Sequence, residues 1–278
     1  MSTNLAAAYR RTGLVPRLLT ALVGIPLILA AAWSGGLWWM GVLVLVAAVG
    51  TGEFLRLHPG LSPAARVCTA AGALVVFGAV VRLGHPPATF LIVLASAVLA
   101  LGVAAHLAAP VDAGTVVWGR WPTALLGAVY LGLPTGVLVR WRGEATFAAV
   151  AWLLVTLWVN DIAAYFVGLA AGRHKLAPRI SPGKSWEGGA AGIAGAAVTG
   201  AIGSTALGLA GWAGVLFGIV ASVASQVGDL FKSTMKRRQG VKDSGALLPG
   251  HGGILDRFDG VLVTVPLAYL FVRILGRL

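Results

Sequence analysis

The chain carries only nine carboxylates in 278 residues, and six of them follow residue 160. Asp161, Asp229 and Asp256 sit at or inside the ends of apolar segments. On insertion scales an acid at the centre of a membrane helix costs about 2.5–3.5 kcal/mol. Such acids face the protein interior, where they serve a function or an ion pair that pins helices. A lone acid fits either role equally. Three acids beside two basic loops favour a site.

In the stretch 229–236, Asp229, Lys232 and Lys236 fall at i, i+3 and i+7 of a continuing helix, on one face. A carboxylate and two ammonium groups on one stripe can hold a metal ion and phosphate oxygens. Taken alone, an ordinary i,i+3 salt bridge is the simpler reading. Lys242 and Asp243 follow, then a Pro-Gly-His-Gly-Gly run with His251 at its centre. Glycine at that density means loop, with backbone N–H groups free to approach an anion closely. His251 is a candidate phosphate donor or metal ligand, although a lone loop histidine more often bonds backbone. Asp256 and Asp259 then enter the last apolar run as i,i+3 neighbours. Paired carboxylates suit Mg²⁺, which takes one or two of them plus phosphates and waters. Acids complementing the helix dipole account for the pair equally well, but not for the glycines before it.

The other polar segment, 172–189, holds Lys175, Arg179 and Lys184, with Ser181 and Ser185 as hydroxyl donors. Its Gly-Lys-Ser triplet at 183–185 imitates a phosphate-binding loop. That motif needs a glycine five residues before Gly183, where this chain has Pro178, so the motif is rejected. A basic loop that sets membrane topology is the competing reading of the segment.

These loops need a scaffold, and composition says what kind. Hydrophobic residues make up 58% of the chain and charged ones 11%; an average soluble domain has about 25% charged. Mean hydropathy is +0.88. The solvent must be largely lipid. Nine apolar runs are legible, at about 18–34, 37–52, 67–82, 88–108, 122–139, 147–170, 189–209, 212–231 and 260–275. Several are near the short limit for a span. The expected fold is an all-α polytopic membrane protein of about nine transmembrane helices. No linker separates soluble domains, so 1–278 reads as a single membrane domain, with N-terminal helices over 1–145 and a catalytic half over 146–278. The first run is read as a retained helix rather than a cleaved leader. With the N-terminus inside, 16 of the 21 Lys and Arg fall on the inner side. That bias predicts N-in, C-out and places both polar loops on the cytoplasmic face.

Gly188, Gly192, Ala196, Gly200, Ser204 and Gly208 recur every four residues, which predicts a close helix–helix contact. Cys68 is the only cysteine, so neither an intrachain disulfide nor a cysteine zinc site is available. The net charge of +12 comes without a nucleic-acid-binding signature. Basic cytoplasmic loops and an anionic substrate account for it, and no nucleic-acid partner is expected.

The stretch 233–259, STMKRRQGVKDSGALLPGHGGILDRFD, resembles the signature of the phosphatidate cytidylyltransferases, or CDP-diglyceride synthases. SPGKSWEG at 181–188 and GDL at 228–230 are similar to two further stretches of that family. The resemblance is strong over about 158–262; the N-terminal half matches only as a set of apolar helices. It implies CTP and phosphatidic acid as substrates, CDP-diacylglycerol and pyrophosphate as products, a place in phospholipid biosynthesis, and a homodimer in the cell membrane. It also implies a Mg²⁺ ion with a potassium ion beside it. On that basis Asp229 and Asp256 are assigned to the metal, with Asp161 and Asp259 as nearby acids. Lys184, Lys236, Arg237, Lys242 and Arg257 would hold the triphosphate and lipid phosphate, with Lys175, Ser181, Asp243 and His251 as further substrate contacts. The chain departs from the family at Lys232, where an acid is frequent, and Glu187 sits at a variable place.

Three other readings compete. A CDP-alcohol phosphotransferase needs a second acid pair downstream of its Asp-x-x-Asp-Gly, and no acid follows Asp259. A transporter explains intramembrane acids but not basic, glycine-rich loops. An inactive scaffold would not need intact motifs.

Overall fold

The computed structural model describes residues 14–245 and 252–276. His251 lies outside the described residues. Within them the chain forms α1 (Leu14–Ser34), α2 (Gly36–Leu57), α3 (Pro63–Arg82), α4 (Pro87–Ala108), α5 (Arg120–Glu144) and α6 (Phe147–Ala171). A short hairpin follows, β1 (Lys175–Ala177) and β2 (Ser181–Ser185), then α7 (Trp186–Ile202), α8 (Gly211–Arg238) and α9 (Leu255–Leu275). Each expected apolar run has its helix. Among the described residues seven are long and apolar enough to cross a membrane; α7 has 17 residues, and α1 counts as a shorter apolar segment over Leu22–Ser34. The protein is an all-α polytopic membrane protein.

Side chains tie the helix ends together. At one end Arg142 donates to the carbonyls of Ala32 and Trp33, and Arg140 to those of Val80 and Leu83. These are carbonyls at helix C-termini that have no intrahelical donor. Arg140 also pairs with Glu144 at 2.7 Å, which accepts from the Tyr269 hydroxyl. At the opposite end Arg238, closing α8, serves the carbonyls of His106 in the last turn of α4 and of Ala109 just after it. The cost of burying such charged groups is offset by the acceptors they find, although Nη1 of Arg238 has no hydrogen-bond partner among the described residues.

α5 is the central helix: 78% of its apolar window is buried, against 28% for α3. Its glycines allow the contact between them, since a Cβ on Gly136 would meet the Phe77 carbonyl at 3.1 Å. Elsewhere large apolar side chains such as Leu37, Trp38, Leu45, Phe90 and Leu101 point outward. In water that surface would aggregate; in lipid it is the proper face.

The small-residue stripe of α7 contacts helices on both sides. A Cβ on Gly188 or Gly192 would meet Ala164 O or Asn160 Oδ1 of α6 at 2.6 Å, and Gly200 abuts Gly214 and Gly218 of α8. The stripe stops sooner than its spacing implied. α7 ends at Ile202, where Trp152 packs on Gly203 and donates its indole N–H to Thr199 O at 2.7 Å. Ser204 and Gly208 lie beyond it. The segment expected as a plain loop over 172–185 also differs, because β1 and β2 pair antiparallel, Lys175 with Ser185 and Ala177 with Ser181.

Candidate active site

The hairpin and the α8–α9 connection meet at the same end of the bundle. Arg237 donates to Ile180 O in the hairpin turn at 3.1 Å, and Lys184 reaches Asp229 at 2.5 Å. Between them opens a cavity of about 740 Å³, lined among others by Asp161, Tyr165, Lys175, Ser181, Lys184, Asp229, Lys232, Asp256, Arg257 and Asp259. That size is ordinary for a small-molecule site.

The acids and lysines alternate. Asp229 bonds Lys184 through Oδ2 and Lys232 through Oδ1, the latter at 3.2 Å. Lys232 also contacts Asp259 and lies 3.6 Å from Asp256 Oδ1, which Lys236 meets at 2.6 Å. The i, i+3, i+7 stripe of α8 therefore faces the acids of α9, and the i,i+3 salt bridge is one contact in a larger network. Helix packing makes the meeting possible. A Cβ on Gly228 would meet the Asp259 carbonyl at 2.6 Å, so only glycine lets α8 and α9 come this close.

The glycine-rich connection binds anions, but among the described residues those anions are the protein's own carboxylates. Asp256 Oδ2 accepts from the N–H groups of Ser244 at 2.8 Å and Gly253 at 3.1 Å. Glu53, on α2 and 3% exposed, accepts from the N–H groups of Ile254 and Leu255, both at 2.9 Å. A Cβ on Gly245 would lie 2.7 Å from Glu53 Oε1, and one on Gly252, whose φ is +78°, 2.6 Å from Asp256 Oδ2. The glycines are there because two carboxylates lie against the backbone.

Sequence reasoning missed Glu53; the available signal was an acid closing the second apolar run. It also missed a polar cluster behind the cavity. Asn160 donates to Asp161 Oδ1 at 2.9 Å and accepts from Ser222 at 2.5 Å and Gln226 at 3.3 Å. The signal there was polar residues at helical spacing inside apolar runs.

The expected site residues divide. Asp161, Lys175, Ser181, Lys184, Asp229, Asp256, Arg257 and Asp259 line the cavity. Lys236 supports it through Asp256. Arg237 is turned to the hairpin carbonyl, while Lys242 and Asp243 are exposed outside the lining. Ser185, read as a hydroxyl donor to an anion, instead caps α7 by accepting from the Gly188 N–H at 3.2 Å. Glu187 holds His174 at 2.7 Å, bracing the hairpin.

The carboxylates bear on the metal. Among the described residues no three of His, Cys, Asp and Glu converge as a metal set. Asp256 has both oxygens committed, and Asp259 is bound to Lys232 and the Gly260 N–H. Asp229 is also paired through both oxygens, with Lys184 and Lys232, but its side chain is 31% exposed and, with exposed Asp161, it faces the open cavity. The donors fit one divalent ion held by one or two carboxylates and completed by phosphates and water. They do not form an all-protein cage.

Apolar helices of membrane length with a cleft of alternating acids and bases at one end define a polytopic membrane protein. The chain belongs to the cytidylyltransferase family, whose model matches residues 15–275. The phosphatidate cytidylyltransferase of Synechocystis sp. is 32% identical over 286 residues, covering 93% of this chain and 96% of the relative. That of Pseudomonas aeruginosa is 36% identical over 263 residues, covering 90% and 93%. That of Brucella melitensis is 46% identical over 155 residues, 54% of this chain. Against this Brucella relative the chain spans only 56% of the relative's length.

Proposed function

We propose that the protein transfers the cytidylyl group of CTP to phosphatidic acid, giving CDP-diacylglycerol and pyrophosphate for phospholipid biosynthesis. The observation that carries this reading is the run Lys184–Asp229–Lys232–Asp259/Asp256–Lys236, set in a cavity at the membrane end of apolar helices. The names of the relatives support it.

A phosphate oxygen of the lipid attacks the α-phosphorus of CTP. A new P–O bond forms as the bond to the β-phosphate oxygen breaks, and the electron pair leaves with pyrophosphate. The nucleophile is already anionic, so no strong base is required. The barrier lies in anion–anion repulsion and in charge growing on the leaving group, so catalysis is positioning and electrostatics. Lys184 and Arg257 line the cavity where the triphosphate would sit, and Lys175 and Ser181 approach from the hairpin. Mg²⁺ bound at Asp229 and Asp161 would neutralise triphosphate charge. Lys236 and the backbone of Ser244 and Gly253 hold Asp256 in place. Acyl chains would stay in lipid beside the outward apolar helix faces.

All nine helices would cross or enter the bilayer, N-in and C-out, with the cavity on the cytoplasmic face of the cell membrane. The charge bias supports that orientation. A homodimer is carried by the family resemblance.

The test is purified protein in nanodiscs with CTP, Mg²⁺ and phosphatidic acid, following pyrophosphate and CDP-diacylglycerol. Asp229→Ala should insert normally and lose turnover. Absence of product from the wild type, or full activity in Asp229→Ala, would overturn the reading.

A further inference from the structure

Lys232 is 5% exposed and stands at the meeting point of three carboxylates on two helices. Asp229 lies 3.2 Å and Asp256 3.6 Å from its Nζ, and Asp259 is the nearest. An ammonium has three N–H donors and no acceptor. Asp259 takes a hydrogen bond, and Asp229 and Asp256 lie within ion-pair range, so the ammonium charge is turned to the protein's own acids. Lys232 lines the cavity as Lys184 does, but its side chain is 6% exposed against 26% for Lys184.

Several carboxylates converging on one buried point are what a cation site offers. Here the point is filled by a side chain that cannot leave. The two ends of the cluster differ in kind. Asp229 and Asp161 face the opening, where an exchangeable ion can enter with its hydration and with phosphate oxygens. Asp256 and Asp259 also line the cavity but lie deeper, with side chains 6% and 17% exposed, and are bound to Lys232 and Lys236.

We propose that the Lys232 ammonium is a tethered cation. It fills the inner position of the carboxylate cluster, so that this chain exchanges a divalent ion only at the outer position and needs no bound monovalent ion. The catalytic part of this inference rests on the proposed cytidylyl transfer; the ion-binding part does not. Lys232 acts as a positioning residue. Its charge holds Asp229 and Asp259 together before substrate arrives, which a diffusible ion does only when bound.

Removing the ammonium leaves Asp259 with the Gly260 N–H but no ammonium, while Asp229 keeps Lys184 and Asp256 keeps Lys236, so the penalty falls on Asp259 unless another cation enters. Lys232→Ala also leaves space where the side chain was. The experiment measures thallous-ion binding, as a potassium surrogate, to purified protein by ²⁰⁵Tl NMR, alongside Mn²⁺ binding by paramagnetic resonance. The wild type should bind Mn²⁺ and no Tl⁺ that potassium displaces. Lys232→Ala should gain a potassium-displaceable Tl⁺ site. In turnover, the wild type should be insensitive to exchanging potassium for choline. Lys232→Ala should lose roughly a hundredfold in choline and recover a substantial part in potassium.

A potassium-displaceable Tl⁺ site in the wild type would overturn the proposal without calling on any variant. So would a folded Lys232→Ala protein that gains no monovalent site. If the wild type makes no CDP-diacylglycerol, the transfer reading fails while the ion-binding arms still decide this one. If Lys232→Ala does not fold, the wild-type Tl⁺ and choline measurements decide alone.

Discussion

Glu53 and Asp256 share one hydroxyl: Ser244 Oγ lies 2.9 Å from Glu53 Oε2 and 2.9 Å from Asp256 Oδ2. A hydroxyl has a single proton, so the two carboxylates compete for it. Backbone N–H groups at and before the start of α9 supply further donors to both, and Lys236 bonds the other oxygen of Asp256. A helix from the first quarter of the chain thereby sets the position of an acid in the last helix.

Glu53→Ala should lower both turnover and thermal stability. Hydrogen bonds to a charged group contribute about 1.5–3 kcal/mol each, and Glu53 accepts three. A loss of roughly tenfold or more in kcat is expected, with partial recovery in Glu53→Gln, which keeps one acceptor oxygen. Thermal scans in detergent with steady-state rates check this; an unchanged Glu53→Ala enzyme would show the contact to be idle.

Gly253→Ala tests whether the glycines serve the protein's own carboxylates. Its Cβ would collide with both Glu53 oxygens and the Ser244 hydroxyl. Overpacking of this kind costs about 1–3 kcal/mol. Gly183, with open space around it, is the control. Gly253→Ala should lose stability and activity, Gly183→Ala neither stability nor fold. Equal melting curves for the two variants would count against the packing argument.

Lys184→Met should raise KM for CTP more than it lowers kcat if this ammonium meets the triphosphate in the ground state. The expected rise is about tenfold or more, from losing one charge-assisted contact. The slope of log KM against log salt should also flatten. An unaltered KM would place the triphosphate elsewhere.

Asn160→Ala probes the polar cluster behind the cavity. Its amide joins Ser222, Gln226 and Asp161 across α6 and α8. Buried partners left unsatisfied cost about 1–3 kcal/mol. Stability should fall by that amount and kcat/KM with it, and the adjacent Asp161→Asn should cost less stability because it keeps the Asn160 contact. Denaturation series on both variants give the comparison.

Chelation should silence the enzyme reversibly. With the outer carboxylates alone facing the opening, Mg²⁺ binds chiefly with the nucleotide. EDTA should abolish turnover, and added Mg²⁺ should restore it with an apparent affinity that improves as CTP rises. Full activity after exhaustive chelation would remove the metal from the mechanism.

Much of this architecture is decided locally. Apolar runs of membrane length become helices because lipid leaves backbone groups no other partner. The spacing of Asp229, Lys232 and Lys236, and of Asp256 and Asp259, follows from 3.6 residues per turn. Charge bias pointed both polar loops to one side, and the Lys184–Asp229 and Arg237–Ile180 contacts place them at one end of the bundle. Tertiary packing alone decided which groups pair. Nothing near Glu53 in the chain points to Ser244; the two meet because α2 and α9 pack against α5. Spacing put Lys232 on the acid face of α8, but only the glycine-spaced approach of α9 surrounds it with two more carboxylates. The same loop glycines that read as a cradle for substrate turned out to hold internal acids. Local geometry allows an N–H to bind any anion, and distance in space selects which.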